Sequence, residues 1–176
     1  HTTALIVGAR MPVMYGMTAV WQEYWHAEEA VALIAREGCT FTVSATPFLY
    51  GLCHAPNASR ASLKTLKIFS CGGAPIPREL IKHAEYEYGF FVSALYGSFD
   101  ALVYTAVTPD DPLAQRYGSD GKIIPGVEAR LLHPDTGAVL PAGAEGELQV
   151  RTPVLFAGYY KDPERTRAVC NPDGWY

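Results

Sequence analysis

Through the first hundred residues, apolar blocks alternate with amphipathic ones. The run MTAVW (17–21) is short, apolar and rich in strand formers. In HAEEAVALIAREG, which follows, Ala30, Val31, Ile34 and Ala35 recur at helical spacing. Acids fill the first turn of that segment, Arg36 stands near its end and Gly38 supplies the stop, which predicts a helix. TFTVSA (40–45) and LKIFSC (66–71) are β-branched or apolar runs of strand length. PRELIKHAEYEYG opens on Pro77, gathers Leu80, Ile81, Ala84 and Tyr88 on one side and closes at Gly89, before a further strand in FFVSAL (90–95). Strands separated by helices require parallel pairing with right-handed crossovers. Residues 1–105 are therefore expected to form an open, mostly parallel α/β sheet with flanking helices.

Beyond about residue 105 the pattern changes. TPDDP is a turn cluster, and no long helix follows it. GVEARLLHPDTGAVLPAGAEGELQVR reads as a strand, a turn at HPDTG and a second strand ending in ELQVR. Residues 106–176 are expected to be a small antiparallel β subdomain, part of a barrel. Within it, KDPERTRAV forms a short helix with Pro163 in its first turn. The closing NPDGWY is a turn that leads into further structure, so the chain is expected to be a fragment of a longer protein.

Composition narrows the class. The 176 residues are 49% hydrophobic and 18% charged, as in an ordinary soluble domain, with a net charge of −4. The basic residues are scattered, which disfavours a nucleic-acid partner. No apolar run reaches the roughly 20 residues needed to span a bilayer, so no transmembrane segment is expected. TTALIVGARMPVM is interrupted by Arg10 and Pro12 and lacks a basic leader, and a cytoplasmic protein is expected. Cys39, Cys53, Cys71 and Cys170 have neither CxxC spacing nor the density of a disulfide scaffold. They read as reduced thiols, with Cys71 serving packing, and no zinc site is expected.

Candidate chemistry gathers where two strands end. SALYGSFDALVY (93–104) reads as a buried strand that stops at Tyr96–Gly97 and then presents Asp100. SCGGAP (70–75) leaves a neighbouring strand at the same carboxyl edge, where open parallel sheets bind ligands. Gly72 and Gly73 let a flat ligand approach the backbone. Tyr96 offers a stacking face, worth roughly 1–3 kcal/mol for a base. Ser98 and Asp100 supply the oxygen ligands that Mg²⁺ accepts beside phosphates. Taken singly, each feature also has a structural reading: a turn, a core tyrosine, or Asp100 as a helix N-cap. Their shared edge favours a nucleotide with its metal.

At these residues the sequence resembles the adenylate-forming superfamily, which includes AMP-forming acyl-CoA synthetases, luciferases and adenylation domains. CGGAPIPRELIKHAEYEYG is similar to its Gly-Gly-Ala-Pro stretch and ALYGSFD to its Tyr-Gly-x-Thr-Glu signature. The block from Gly118 to Trp175 matches in register at Gly121, Pro125, Gly126, Gly146, Glu147, Gly158, Tyr159, Pro163 and Gly174. The passage YWHAEEAVALIAREGCTFTVSATPFL is similar too, so the resemblance spans nearly the whole chain.

The resemblance implies that Gly72, Gly73, Ala74 and Pro75 line an adenine pocket with Tyr96 stacked on the ring. Ala94, Leu95 and Gly97 would flank the adenine and the reacting carboxylate. Ser98 and Asp100 would be the catalytic pair, with Asp100 holding Mg²⁺. His1, Thr46, Phe48 and Leu49 would lie near the organic acid. In such enzymes a carboxylic acid attacks the α-phosphate of ATP, pyrophosphate leaves, and a thiol then displaces AMP from the acyl-adenylate. That thiol is coenzyme A as co-substrate, or a carrier protein. The acid is compatible with a fatty, alicyclic or aromatic compound, and amino-acid activation is disfavoured.

Two residues depart from the pattern. Phe99 stands at the family's threonine, and Asp100 is one methylene shorter than its glutamate. The pyrophosphate-gripping loop, the Arg-Thr-Gly-Asp segment and the lid with its lysine have no counterpart in the chain. It is therefore read as the middle of an acid–CoA ligase that does not turn over alone. The alternative is a degenerate nucleotide-binding module that keeps the adenine pocket without catalysis, and a ligand-free structural α/β domain is the third reading.

Overall fold

The computed structural model describes residues 3–176. The chain opens with a wide-wound π-helical stretch, Ala4–Arg10, running into α1 (Met11–Tyr15), which ends at Gly16 in the left-handed conformation. Residues 17–21, expected as a strand, have no regular structure. Their apolar character serves a different contact: the Trp21 ring lies so close to Gly8 that a Cβ there would meet it at 2.5 Å. The segment folds back onto the opening helix instead of pairing in a sheet.

The next elements follow the hydrophobic pattern. α2 (Ala27–Glu37) buries Ala30, Val31 and Ile34, carries Glu28 and Glu29 in its first turn and stops at Gly38 with φ 67°. β1 (Phe41–Ser44) leads to α3 (Thr46–Cys53), whose first turn holds Pro47 and whose inner face buries Leu49, Leu52 and Cys53. β2 (Ile68–Cys71) is followed by α4 (Arg78–His83), which widens into a π-wound turn over Ala84–Tyr88 and closes at Gly89 with φ 85°. β3 (Phe91–Ser98) and β4 (Leu102–Ala106) come next, then α5 (Leu113–Gly118) and β5 (Lys122–Ile123). β6 (Glu128–Leu132), β7 (Glu147–Arg151) and α6 (Pro163–Val169) complete the chain.

Five strands form one sheet in the order β1-β2-β3-β4-β5, and β6 and β7 form a separate pair. β1–β2 and β2–β3 are parallel, β4–β5 antiparallel. β6 and β7 run antiparallel with Leu131 opposite Leu148, while the HPDTG turn returns the chain against the end of β6, where Val139 bridges Leu132. A mostly parallel α/β sheet followed by a small antiparallel element is thus what the pattern of apolar runs led to.

The chain divides into two compact units, His1–Leu95 with Val107–Gly121, and Tyr96–Ala106 with Lys122–Tyr176. The first holds a large core in which Phe69, Phe90, Leu49, Leu63 and Ile81 are fully buried. It is also tied by a largely buried ion pair. Glu85 Oε2 accepts from Arg116 Nη2 at 2.6 Å and from Tyr117 Oη at 2.7 Å, while Oε1 accepts from the Val92 amide at 3.2 Å. The Arg116 guanidinium lies 4.9 Å from the Phe91 ring centre. The second unit has a small core of Ala101, Tyr104 and Val150. Its α6 is capped by Asp162, whose carboxylate accepts from the Arg165 amide at 3.0 Å.

Candidate functional site

The first unit contributes backbone. The parallel register pairs Cys71 with Ala94, so Gly72 and Leu95 are the next residues on neighbouring strands at their carboxyl ends. Gly72 is buried, and a Cβ on it would meet Leu95 Cδ1 at 2.4 Å and the Leu95 carbonyl oxygen at 2.7 Å. Only glycine allows this approach. Gly73 turns with φ 81° and has nothing within 4 Å of a Cβ position, so the loop presents open, side-chain-free backbone there. Ala74 and Pro75 are exposed beside it.

Thr46, at the start of α3, shares its hydroxyl between the carbonyl oxygens of Ala74 and Pro75 at 3.3 and 3.2 Å. It thereby staples the glycine loop to the helix. Phe48 is half-buried with its ring 4.9 Å from Trp25, edge to face. Leu49 is 0% exposed and belongs to the core, as does Ala94. His1 lies outside the described residues. Cys71 is buried against this loop, and burial pushes its thiol up to about 11, as suits a packing residue.

The second unit contributes side chains. β3 does not stop at Tyr96–Gly97 but continues to Ser98, and a short turn returns the chain as β4. Gly97 is the reason it can: a Cβ there would stand 2.0 Å from the Leu102 carbonyl oxygen. Leu102 itself has φ 58°, a left-handed conformation that costs a leucine about 1–2 kcal/mol. Tyr96 is 50% exposed and leans edge to face on Tyr104, with ring centres 5.6 Å apart. The Tyr104 hydroxyl donates to Ser98 Oγ, which also accepts from the Ala101 amide at 3.2 Å. Asp100 Oδ2 accepts from the Tyr176 hydroxyl at 2.9 Å, and the Asp100 carbonyl oxygen accepts from the Phe156 amide at 2.7 Å. Phe99 projects outward, 71% exposed.

A cleft of about 340 Å³ opens here, lined among others by Tyr96, Ser98, Tyr104, Gln149 and Tyr176. Burial, with the Asp100 carboxylate beside it, pushes the Tyr176 phenol up to about 12, so it stays a donor at neutral pH. Tyr104 and Tyr176 are cleft residues that the sequence reading did not single out. One signal existed: a tyrosine inside an apolar run, such as Tyr104 in ALVYTAV, needs a partner for its hydroxyl once buried. Among the described residues no group of three or more His, Cys, Asp or Glu side chains could hold a metal. Mg²⁺ is commonly held through one or two carboxylates together with substrate phosphates. Asp100, a single carboxylate on the turn between β3 and β4, meets that minimum for a metal that would arrive with a nucleotide.

β2 thus releases a Gly-Gly-Ala-Pro loop, and β3 carries a Tyr-Gly pair near its end. The chain belongs to the AMP-binding enzyme family, which it matches over residues 1–160. It is 32% identical over its whole length to a medium-chain fatty-acid–CoA ligase of Escherichia coli K12, covering 31% of that protein. It is 34% identical to a 4-coumarate–CoA ligase-like protein of rice over 91% of the chain and 27% of the relative. The chain thus spans about a third of the length of the curated relatives it matches. Its fold superposes on ATP-bound MatB from Rhodopseudomonas palustris with a TM-score of 0.89 and 26% identity, over 100% of the chain and 34% of MatB. The amide bond synthetase McbA of Marinactinospora thermotolerans gives 0.80 at 35% identity, over 90% of the chain and 32% of McbA. No helix among the described residues is long and apolar enough to cross a membrane.

Proposed function

We propose that this chain is the central part of an AMP-forming acid–CoA ligase and supplies nucleotide-binding and metal-holding residues to it. The observation that carries this reading is the strand register. Pairing Cys71 with Ala94 sets Gly72, just past the carboxyl end of β2, beside Leu95, the residue that precedes Tyr96 in the chain. Open α/β sheets take ligands at that end. Membership of the AMP-binding family supports the choice of ligand.

In this reading Gly72, Gly73, Ala74 and Pro75 receive the adenine edge, and Tyr96 stacks on the ring with its exposed face. Ala94 and Leu95 shape the floor behind the loop, and Gly97 keeps the strand end close-packed. Mg²⁺ brought in with ATP would be held by Asp100 and would offset charge on the phosphate oxygens. The acid carboxylate attacks the α-phosphorus, the bond to pyrophosphate breaks, and a thiol, taken to be coenzyme A, later displaces AMP. The chain's own part is positional and electrostatic rather than proton transfer. Ser98 and Asp100 present fixed oxygens, and Thr46 fixes the glycine loop rather than reading the acid. Phe48, half-buried near the start of α3, is the residue left to touch an apolar acid.

Replacing Tyr96 by Ala in the full-length ligase tests the reading. Loss of one aromatic–base stack lowers AMP affinity roughly tenfold or more, measured by calorimetric titration. Unchanged AMP affinity would falsify it. The 176-residue chain by itself is expected to give no ATP–pyrophosphate exchange.

A further inference from the structure

We propose that Tyr176 is a positioning residue that aims the Asp100 carboxylate. The inference rests on the nucleotide reading above and adds a residue to it.

The geometry is built from three anchors on one short turn. The Tyr176 hydroxyl donates to Asp100 Oδ2 at 2.9 Å, bridging residues 76 apart in sequence. The Phe156 amide holds the Asp100 carbonyl oxygen at 2.7 Å. On the other side of Phe99, Ser98 Oγ is held by the Tyr104 hydroxyl and by the Ala101 amide. Tyr176 is itself fixed by backbone. Its amide donates to the Val150 carbonyl at 2.9 Å and its carbonyl accepts from the Val150 amide at 2.8 Å. The Phe156 ring stands edge to face against its ring, centres 6.0 Å apart. The phenol is thus delivered by the edge of β7, not by a flexible arm.

An aspartate side chain on an otherwise exposed turn has several rotamers, and a donor bound to one oxygen selects one of them. With Oδ2 engaged by the phenol, the direction of Oδ1 is fixed as well. A hydrogen bond to a charged group of this kind is among the stronger ones. The same two phenols line the cleft together with Tyr96 and Ser98, so the groups that hold Ser98 and Asp100 themselves face that space.

The experiment compares wild type, Tyr176→Phe, Asp100→Asn and the double variant of the full-length ligase. Calorimetry gives the ratio of ATP affinity with Mg²⁺ to that with EDTA, and AMP affinity without metal. Phenylalanine keeps the ring and both backbone bonds to Val150, and a thermal melt confirms that each variant is folded. The expected result is a roughly tenfold fall in the Mg²⁺ ratio for Tyr176→Phe, the size set by one hydrogen bond to a charged group. AMP affinity should be unchanged, and Tyr176→Phe should have no further effect in the Asp100→Asn background. A normal ratio in Tyr176→Phe alongside a reduced ratio in Asp100→Asn overturns this inference alone. So does an equal loss of AMP affinity, or a full additional loss in the double variant. A normal ratio in Asp100→Asn overturns the assignment of Asp100 to the metal, and this inference with it, while leaving the Tyr96 test of nucleotide binding standing.

Discussion

At Gly72 the chain makes room by having no side chain, and at Ser98 and Asp100 it fills room with side chains tied to phenols. The two regions rest on different supports. The glycine loop sits on a unit with a large apolar core and a largely buried Glu85–Arg116 pair whose side chains are 9% and 19% exposed. The Ser98–Asp100 turn belongs to a unit with three buried apolar residues, an ion pair left in solvent (Arg151–Glu128, 44% and 59% exposed) and a web of hydroxyl contacts. Backbone shape needs a stiff floor, because close approach is lost if the strands shift by a fraction of an ångström. Side-chain aim needs local donors, because a carboxylate on a turn is otherwise free to rotate. Each region has what its task requires.

The sharpest way to break this contrast is to remove Glu85. Glu85→Ala leaves Arg116, its side chain only 19% exposed, without its partner, on a guanidinium whose Nε already lacks one. A loss of about 3–5 kcal/mol is expected, read as a lowered urea midpoint. A loss below about 1 kcal/mol would show that the first unit does not depend on the pair. Next come the close-packed glycines. Gly97→Ala forces a methyl against the Leu102 carbonyl oxygen at 2.0 Å and Gly72→Ala against Leu95 at 2.4 Å. Overpacking of this kind costs about 1–3 kcal/mol, and Gly97 should stand at the upper end because its neighbour is backbone while part of Gly72's is a movable methyl. The reverse order in denaturation midpoints would refute that ranking.

The smallest effect belongs to the exposed pair. The Arg151 hydrogen bond holds the Glu128 carboxyl below the usual carboxylate range. Because the folded value is the lower one, the pair's contribution is complete above the unfolded glutamate value of about 4.3 and is lost as pH falls through the folded value. Glu128→Gln should flatten that acid step in low salt and leave the midpoint at pH 7 in 1 M salt unchanged. A midpoint shift that persists in high salt would mean that the second unit relies on this pair after all.

Much of the scaffold was legible because local pattern and burial agree. Val31 and Ile34 at helical spacing and the β-branched run at residues 41–44 end up where their periodicity puts them. Residues 17–21 were misread because an apolar residue can be spent on a side-chain contact, Trp21 on Gly8, as well as on a strand. The extension of β3 past Gly97 was hidden for a related reason. The need for glycine there comes from the left-handed Leu102 five residues on, and no propensity at Gly97 reports it. Of the site, the glycine loop and the Tyr96–Asp100 stretch could be read directly. Their fixings could not, since the partner of Asp100 lies 76 positions away. The resemblance puts Leu49 near the organic acid, yet the inward face of α3 carries it into the core.

The left-handed Leu102 makes codons 97 and 102 a linked pair under selection. In a library screened for heat tolerance, asparagine or glycine at 102 would relieve the torsional penalty and be enriched early. Any clone that gains a side chain at 97 would survive only if the hairpin tip had been rebuilt at 102 in the same genome. Deep sequencing of such a library would show the two positions varying together rather than independently.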